Sequence, residues 1–237
     1  QKMAEKLGTH DPESGERFPF HKDDLKYHHI KPKTKENSAA VIFFLMDVSG
    51  SMSMDRKFLA RSFFFLLYQF LNHKYEKVDV VFLSHSTTAS RVSEDDFFKV
   101  GTFGGTIISS CLNLELDIVE KEYHPNSWNI YSFYCGDGEN WSSDNEKSLD
   151  LFKQIKEISQ LTAYCEINEH YGNFAEENES VSPTGYPWPS FSAWKNEELE
   201  NLWAKLTPIC DAKFKKVMIG QTDHIWKSFN KLFGGGK

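Results

Sequence analysis

No stretch of this 237-residue chain approaches the ~20 consecutive apolar residues that a helix needs to cross a bilayer. The longest apolar run, Ala39 to Met46, has the length of a strand. Positive charge is in the minority: 27 lysines and arginines against 34 aspartates and glutamates leave a net charge of −7. That balance speaks against nucleic acid, whose phosphates call for a basic face, and no membrane partner is expected. Cysteine is scarce. Cys111, Cys135, Cys165 and Cys210 are widely spaced and form no C-x-x-C pair. The expectation is therefore buried, reduced thiols in a cytoplasmic protein rather than a disulfide framework or a zinc cage. The nine histidines include no i, i+4 pair of the kind that holds a metal on a helix. The chain begins at Gln1, without an initiator methionine, signal peptide or cleavage site, and it is expected to be part of a longer protein.

What is present is material for a core. Apolar residues make up 40% and aromatics 15%, too much for a disordered chain, and the length suits one domain with appendages. Residues 1–38 are polar and broken by Pro12, Pro19 and Pro32, which predicts an extended lead-in. From residue 39 the pattern alternates. Strands are expected at 39–47, 78–83, 89–92, 129–135, 161–167 and 212–219, and helices at 54–75, 107–123, 193–206 and 223–233. A further helix should open at Ser143, where Glu146 completes a capping-box spacing, and run to about Gln160. Phe63, Phe64, Phe65, Leu66 and Leu67 read as core, so their helix must be covered on more than one side. Residues 168–190, with Pro183, Pro187 and Pro189, form an irregular insert, and 234–237 a tail. Strand–helix alternation over 39–233 implies an α/β domain with a mostly parallel sheet and helices on both faces. Such sheets bind ligands beyond the carboxyl ends of their strands.

Three loops fall there. Asp47-Val48-Ser49-Gly50-Ser51 follows the first strand, Gly104-Gly105-Thr106 opens a helix, and Asp137-Gly138-Glu139-Asn140 follows the strand 129–135. Asp47, Ser49, Ser51, Thr106 and Asp137 are all hard oxygen donors, a set that suits Mg²⁺ or Mn²⁺. Alternation at 47, 49 and 51 would aim all three side chains the same way along an extended turn. D-x-S-x-S alone is a weak signal, since Ser51 or Ser53 could simply cap the helix that follows. Three such loops together carry the inference. Glu139 and Asn140 are candidate groups for orienting Asp137. Trp141 and His85 are candidate walls of the crevice, and Asp144 is expected to favour its helix start through the dipole.

With D-V-S-G-S after an apolar strand, then G-G-T, then a strand-terminal aspartate, the chain resembles the von Willebrand factor A-type domain, a Rossmann-like fold. In that family these positions form the metal-ion-dependent adhesion site. The resemblance implies a metal held by Asp47, Ser49, Ser51, Thr106 and Asp137, the hydroxyls approaching directly and the aspartates often through waters. The stretches A-V-I-F-F-L-M-D-V-S-G-S-M, F-G-G-T-I-I-S-S and W-N-I-Y-S-F-Y-C-G-D-G-E-N-W, with D-D-L-K-Y before them and I-W-K-S-F-N-K-L-F after, are similar to the bacterial YeaH/YhbH family over about residues 18 to 233. Gly136 departs from the serine expected there. The resemblance implies a role in stress response or sporulation and a partner around a stress-response serine protein kinase.

The expected function is a cytoplasmic, non-enzymatic protein-interaction module whose metal accepts a partner's carboxylate. Two alternatives differ in class. One is a haloacid-dehalogenase-like phosphatase with Asp47 as nucleophile, suggested by G-D-G-E-N; the usual second carboxylate two residues on is Ser49 here, whose hydroxyl cannot serve as the acid or base at neutral pH. The other is a metal-free structural scaffold. The sequence leaves the oligomeric state open.

Overall fold

Strand β1 (Ala39–Asp47) is buried at every position after Ala39, as expected of a central parallel strand covered on both faces. Its side chains divide by alternation. Ala40, Ile42, Phe44 and Met46 join one apolar cluster, and Val41, Phe43 and Leu45 the other. The computed structural model describes residues 38–99, 104–168 and 199–234, which belong to one compact unit, Asn37–Lys237. Of the predicted lead-in 1–38, insert 168–190 and tail 234–237, residues 1–37, 169–190 and 235–237 lie outside the described residues.

The chain continues through α1 (Met54–Lys74), β2 (Lys77–His85), β3 (Ala89–Val92), the single turn α2 (Glu94–Phe97), α3 (Ile108–Glu122), β4 (Asn129–Gly136), β5 (Glu139–Trp141), α4 (Asn145–Ile158), β6 (Leu161–Ile167), β7 (Leu199–Asn201), α5 (Trp203–Leu206), β8 (Phe214–Ile219) and α6 (Thr222–Phe233). The main sheet runs β3-β2-β1-β4-β6-β8. All neighbours are parallel except the edge strand β3. Helices α1 and α6 bury residues in the cluster on one face, α3 and α4 in the cluster on the other. The expected mostly parallel α/β domain is therefore present, and ten of its elements lie within two residues of their predicted bounds.

Helix α1 has the predicted cover. The sheet takes Phe63, Phe64 and Leu67, with the Phe44 and Phe64 rings 4.3 Å apart, and α6 takes Phe70 through Phe229 and Phe233 at 5.3 and 4.5 Å. Phe65 departs from the expectation: it points outward and is 63% exposed, because a helix covered by a sheet and one neighbour still has a free side. The helix predicted over 193–206 is a second departure. Leu199–Asn201 is a strand, paired antiparallel with β5, and helix begins only at Trp203. Pairing with a distant strand overrides the local helical spacing.

A third departure occurs at the start of α4. The Ser143–Glu146 capping box does not form, and a 3₁₀ turn, Ser142–Asp144, leads into the helix instead. Asp144 is a junction between elements. Its Oδ2 accepts from Ser109 N at 3.0 Å, Ser148 Oγ at 2.8 Å and Asn140 Nδ2 at 3.3 Å. Asn140, fully buried, accepts from Ile108 N at 3.1 Å and donates to Asn145 Oδ1 at 2.9 Å. The first turn of α3 exposes N–H groups that Ile107, at its N-cap, has no side-chain oxygen to satisfy. Asn140 and Asp144 supply those oxygens from another part of the chain.

Replacing Asp144 with alanine strands three buried donors at ~1–3 kcal/mol each. Asp144→Ala should therefore lower stability by at least about 3 kcal/mol in urea unfolding; an unchanged midpoint would contradict the junction. A second prediction concerns Glu115 of α3, fully buried with one hydrogen bond, from Ser132 Oγ at 2.9 Å. Burial raises its carboxyl to about 8. A raised folded pKa means stability is full below the unfolded value and is lost as pH rises toward 8. Glu115→Gln should gain on the parent protein between pH 5 and pH 8 in denaturant unfolding, and an equal pH response of the two proteins would refute this.

Candidate metal site

β1 delivers Asp47 to the carboxyl edge of the sheet, opposite His85 of β2, with its carboxylate fully buried. Asp47 Oδ1 accepts from Ser49 N at 2.8 Å. The loop then turns tightly, Met52 N bonding Ser49 O at 3.0 Å, instead of remaining extended as the alternation predicted. The outcome for the hydroxyls is the same: Ser49 Oγ and Ser51 Oγ meet at 3.1 Å. The capping question resolves in favour of Ser53, whose Oγ accepts from Arg56 N at 3.2 Å at the start of α1. Neither Ser49 nor Ser51 is needed as a cap.

The second loop places Thr106, also buried, with Oγ1 donating to Asp47 Oδ2 at 3.4 Å. Backbone bonds hold it from both sides: Ile107 N to Ser86 O at 2.8 Å, and Trp141 N to Thr106 O at 3.2 Å. The third loop follows β4. Gly138 adopts φ 92°, a conformation that side-chain-bearing residues rarely take, and the chain bends there into β5. Asp137 stands just before that turn. Its side chain is 2% exposed, and its Oδ1 accepts from Glu139 N at 3.2 Å. Hydrogen bonds thus join Asp47, Ser49, Ser51 and Thr106, and charge links Asp137 to Asp47.

The electrostatics are those of an anionic pocket short of positive charge. Burial, and then the neighbouring Asp137, push the Asp47 carboxyl up to about 7, although Ser49 and Thr106 hydrogen bonds oppose the rise. Two cations that sequence reasoning passed over answer part of the deficit. Arg56 Nη1 lies 3.5 Å from Asp137 Oδ2 and donates to Ser51 O at 3.0 Å. Lys57 is buried, and the Asp47 charge opposes the lowering of its pKa by burial. The signal was available: both cations sit in the first turn of α1, where the helix dipole favours anions.

The neighbouring candidates behave differently from one another. Asn140 serves the second loop rather than Asp137, and Glu139 orients Asp137 through its backbone N–H. Trp141 does wall the site: a Cβ placed on Gly105 would collide with its indole nitrogen. His85 is buried, and burial lowers its pKa to about 4, so the ring is neutral.

Among the described residues, no group of three or more His, Cys, Asp and Glu side chains could hold a metal ion. The donors at this edge are of another kind: two carboxylates and three hydroxyls, all oxygen, suited to a small hard cation. Asp137 adds to the cost of ionising Asp47, a cost that a divalent cation would relieve, so the residues present fit Mg²⁺ or Mn²⁺.

Comparison with known proteins agrees with this architecture. Residues 2–235 match a family described as proteins of unknown function, DUF444. A UPF0229 protein of Ruminiclostridium cellulolyticum is 51% identical over 166 residues, which are 70% of this chain and 42% of that one. A UPF0229 protein of Clostridium perfringens is 49% identical over 151 residues, 64% of this chain and 38% of its own. The chain thus spans about two-fifths of the length of these relatives. Among solved structures, BatB of Bacteroides thetaiotaomicron aligns with a TM-score of 0.54 at 15% identity, covering 83% of this chain and 98% of its own. The SpRpn10 VWA domain gives the same score at 10% identity, covering 84% and 99%. The likeness in structure establishes the fold, and the family match establishes kinship: the chain belongs to the DUF444/UPF0229 family, the YeaH/YhbH group that its motifs resemble, and folds as a von Willebrand factor A-type domain.

Proposed function

We propose that this domain is a protein-interaction module in which Asp47, Ser49, Ser51, Thr106 and Asp137 hold Mg²⁺ or Mn²⁺ and leave room for a partner's carboxylate. The observation that supports it most is the state of Asp47. A carboxyl is buried at a strand end among three hydroxyls, with a second carboxylate near enough to raise its pKa. Burying a carboxyl beside a second one costs stability, and the arrangement is suited to a cation. With neutral hydroxyls as most of its donors, the cation keeps enough charge to attract an acidic side chain from outside.

The surroundings favour a protein as that outside group. Met54 and Phe58, on the first turns of α1 just beyond Ser51, are 70% and 58% exposed. Apolar residues beside a polar anchor are a common composition for a protein interface. Among the described residues no helix is long and apolar enough to cross a membrane. A cytoplasmic setting, a role in stress response or sporulation, and a serine protein kinase as partner rest on the family resemblance and are part of the proposal. So is the absence of an enzymatic role.

Titration calorimetry with Mg²⁺ and Mn²⁺ tests the site. The parent chain should bind, and Asp47→Ala and Ser49→Ala should each weaken binding at least tenfold; equal affinity in all three would defeat the assignment. For the partner, a pull-down from cell extract with and without chelator is compared with Asp137→Ala. Proteins retained only by the parent chain with metal are expected, and identical retention in all three conditions would refute a metal-bridged contact.

A further inference from the structure

Beside the two aspartates lies a row of buried aromatic rings, each with one polar atom that lacks a hydrogen-bond partner among the described residues. Tyr134 of β4 and Tyr164 of β6 stack with centroids 5.2 Å apart and planes 10° from parallel, and the His85 ring lies 5.5 Å from Tyr134. All three are at most 1% exposed. Tyr134 Oη, Tyr164 Oη and His85 Nε2 each lack a hydrogen-bond partner among the described residues. An unpaired buried hydroxyl costs about 1–3 kcal/mol. Phenylalanine would fill the same space without that cost, and this chain uses phenylalanine freely elsewhere.

The Tyr134 hydroxyl can be located well. It lies 2.6 Å from where a Cβ on Gly136 would stand, so it occupies space next to the backbone that leads directly into Asp137. Burial raises its pKa, and the Asp47 and Asp137 charges both add to the rise, Asp47 being the largest of the charges acting on it. Tyr164 senses the same two aspartates, but Glu166 acts on it more strongly. A hydrogen-bond donor is therefore kept dry, unpaired and within the field of both acids.

We propose that Tyr134 is a positioning residue of the cation site, its hydroxyl donating to the oxygen shell that Asp47 and Asp137 hold around a bound divalent cation. This rests on the metal reading above. It deepens that reading by naming a residue outside the three loops. The missing glycine side chain at 136 is part of the arrangement, since a larger residue would displace the hydroxyl. Groups that orient a metal's ligands typically contribute 10–100-fold in affinity.

The test uses Tyr134→Phe and Tyr164→Phe in the 237-residue chain, with two readouts. The first is thermal unfolding in chelator. Tyr134→Phe should unfold at the same temperature as the parent or higher, because an unpaired hydroxyl has been removed. The second is Mg²⁺ affinity by calorimetry, where Tyr134→Phe should fall roughly tenfold or more and Tyr164→Phe should fall less. Equal affinity in Tyr134→Phe and parent overturns the proposal. So does loss of stability in chelator, which would mark the hydroxyl as a structural group bonded to a buried water. If the parent itself binds no Mg²⁺, the metal reading fails and this one with it, an outcome distinct from failure of Tyr134 alone.

Discussion

Two carboxylates brought together at the edge of a parallel sheet repel one another, and the rest of the site is arranged around that repulsion. Asp47 ends β1, Asp137 follows β4, and these strands are direct neighbours. Burial removes the water that would otherwise screen them, so Asp47 gives up its proton only near pH 7. Hydroxyls from two loops, an arginine and a buried lysine soften the cost without cancelling it. A rigid sheet, apolar on both faces, keeps the acids from moving apart. The same rigidity that makes the pair unfavourable alone would suit it to the divalent ion proposed above.

The loops are no less constrained than the strands. Thr106 would be a surface residue on a mobile connection if its neighbours were not tied down. Asn140 and Asp144 take the free N–H groups at the start of α3, and Trp141 packs against Gly105 while its backbone N–H holds Thr106 O. The second and third loops therefore behave as one piece. β5 and β7 extend it, because their pairing gives the segment after Asp137 a fixed course. Stability of this polar junction and geometry of the oxygen donors are two aspects of one structure.

Much of this was legible in the sequence, for reasons that can be assigned to particular residues. The run Ala39–Met46 reads as a central strand because both faces are buried, and every site residue at its end could be placed by the rule for parallel sheets. Ser53 as cap could not be separated from Ser51 without coordinates, since both stand at plausible offsets. β5 and β7 are three residues each and have no period of their own, so only their pairing defines them. Asp144 looked like a helix-start residue because its partners, Ser109 and Asn140, come from other elements. Tyr134 looked like one more apolar ring in a strand, and only its unpaired hydroxyl distinguishes it.

The central claim is that the five oxygen-bearing side chains at this edge bind one divalent cation. Crystals of the chain grown with Mn²⁺ and measured for anomalous scattering test it most directly. A single manganese peak among Asp47, Ser49, Ser51, Thr106 and Asp137 is the predicted result. Ordered manganese found only elsewhere, with no peak among these five residues, would contradict the account.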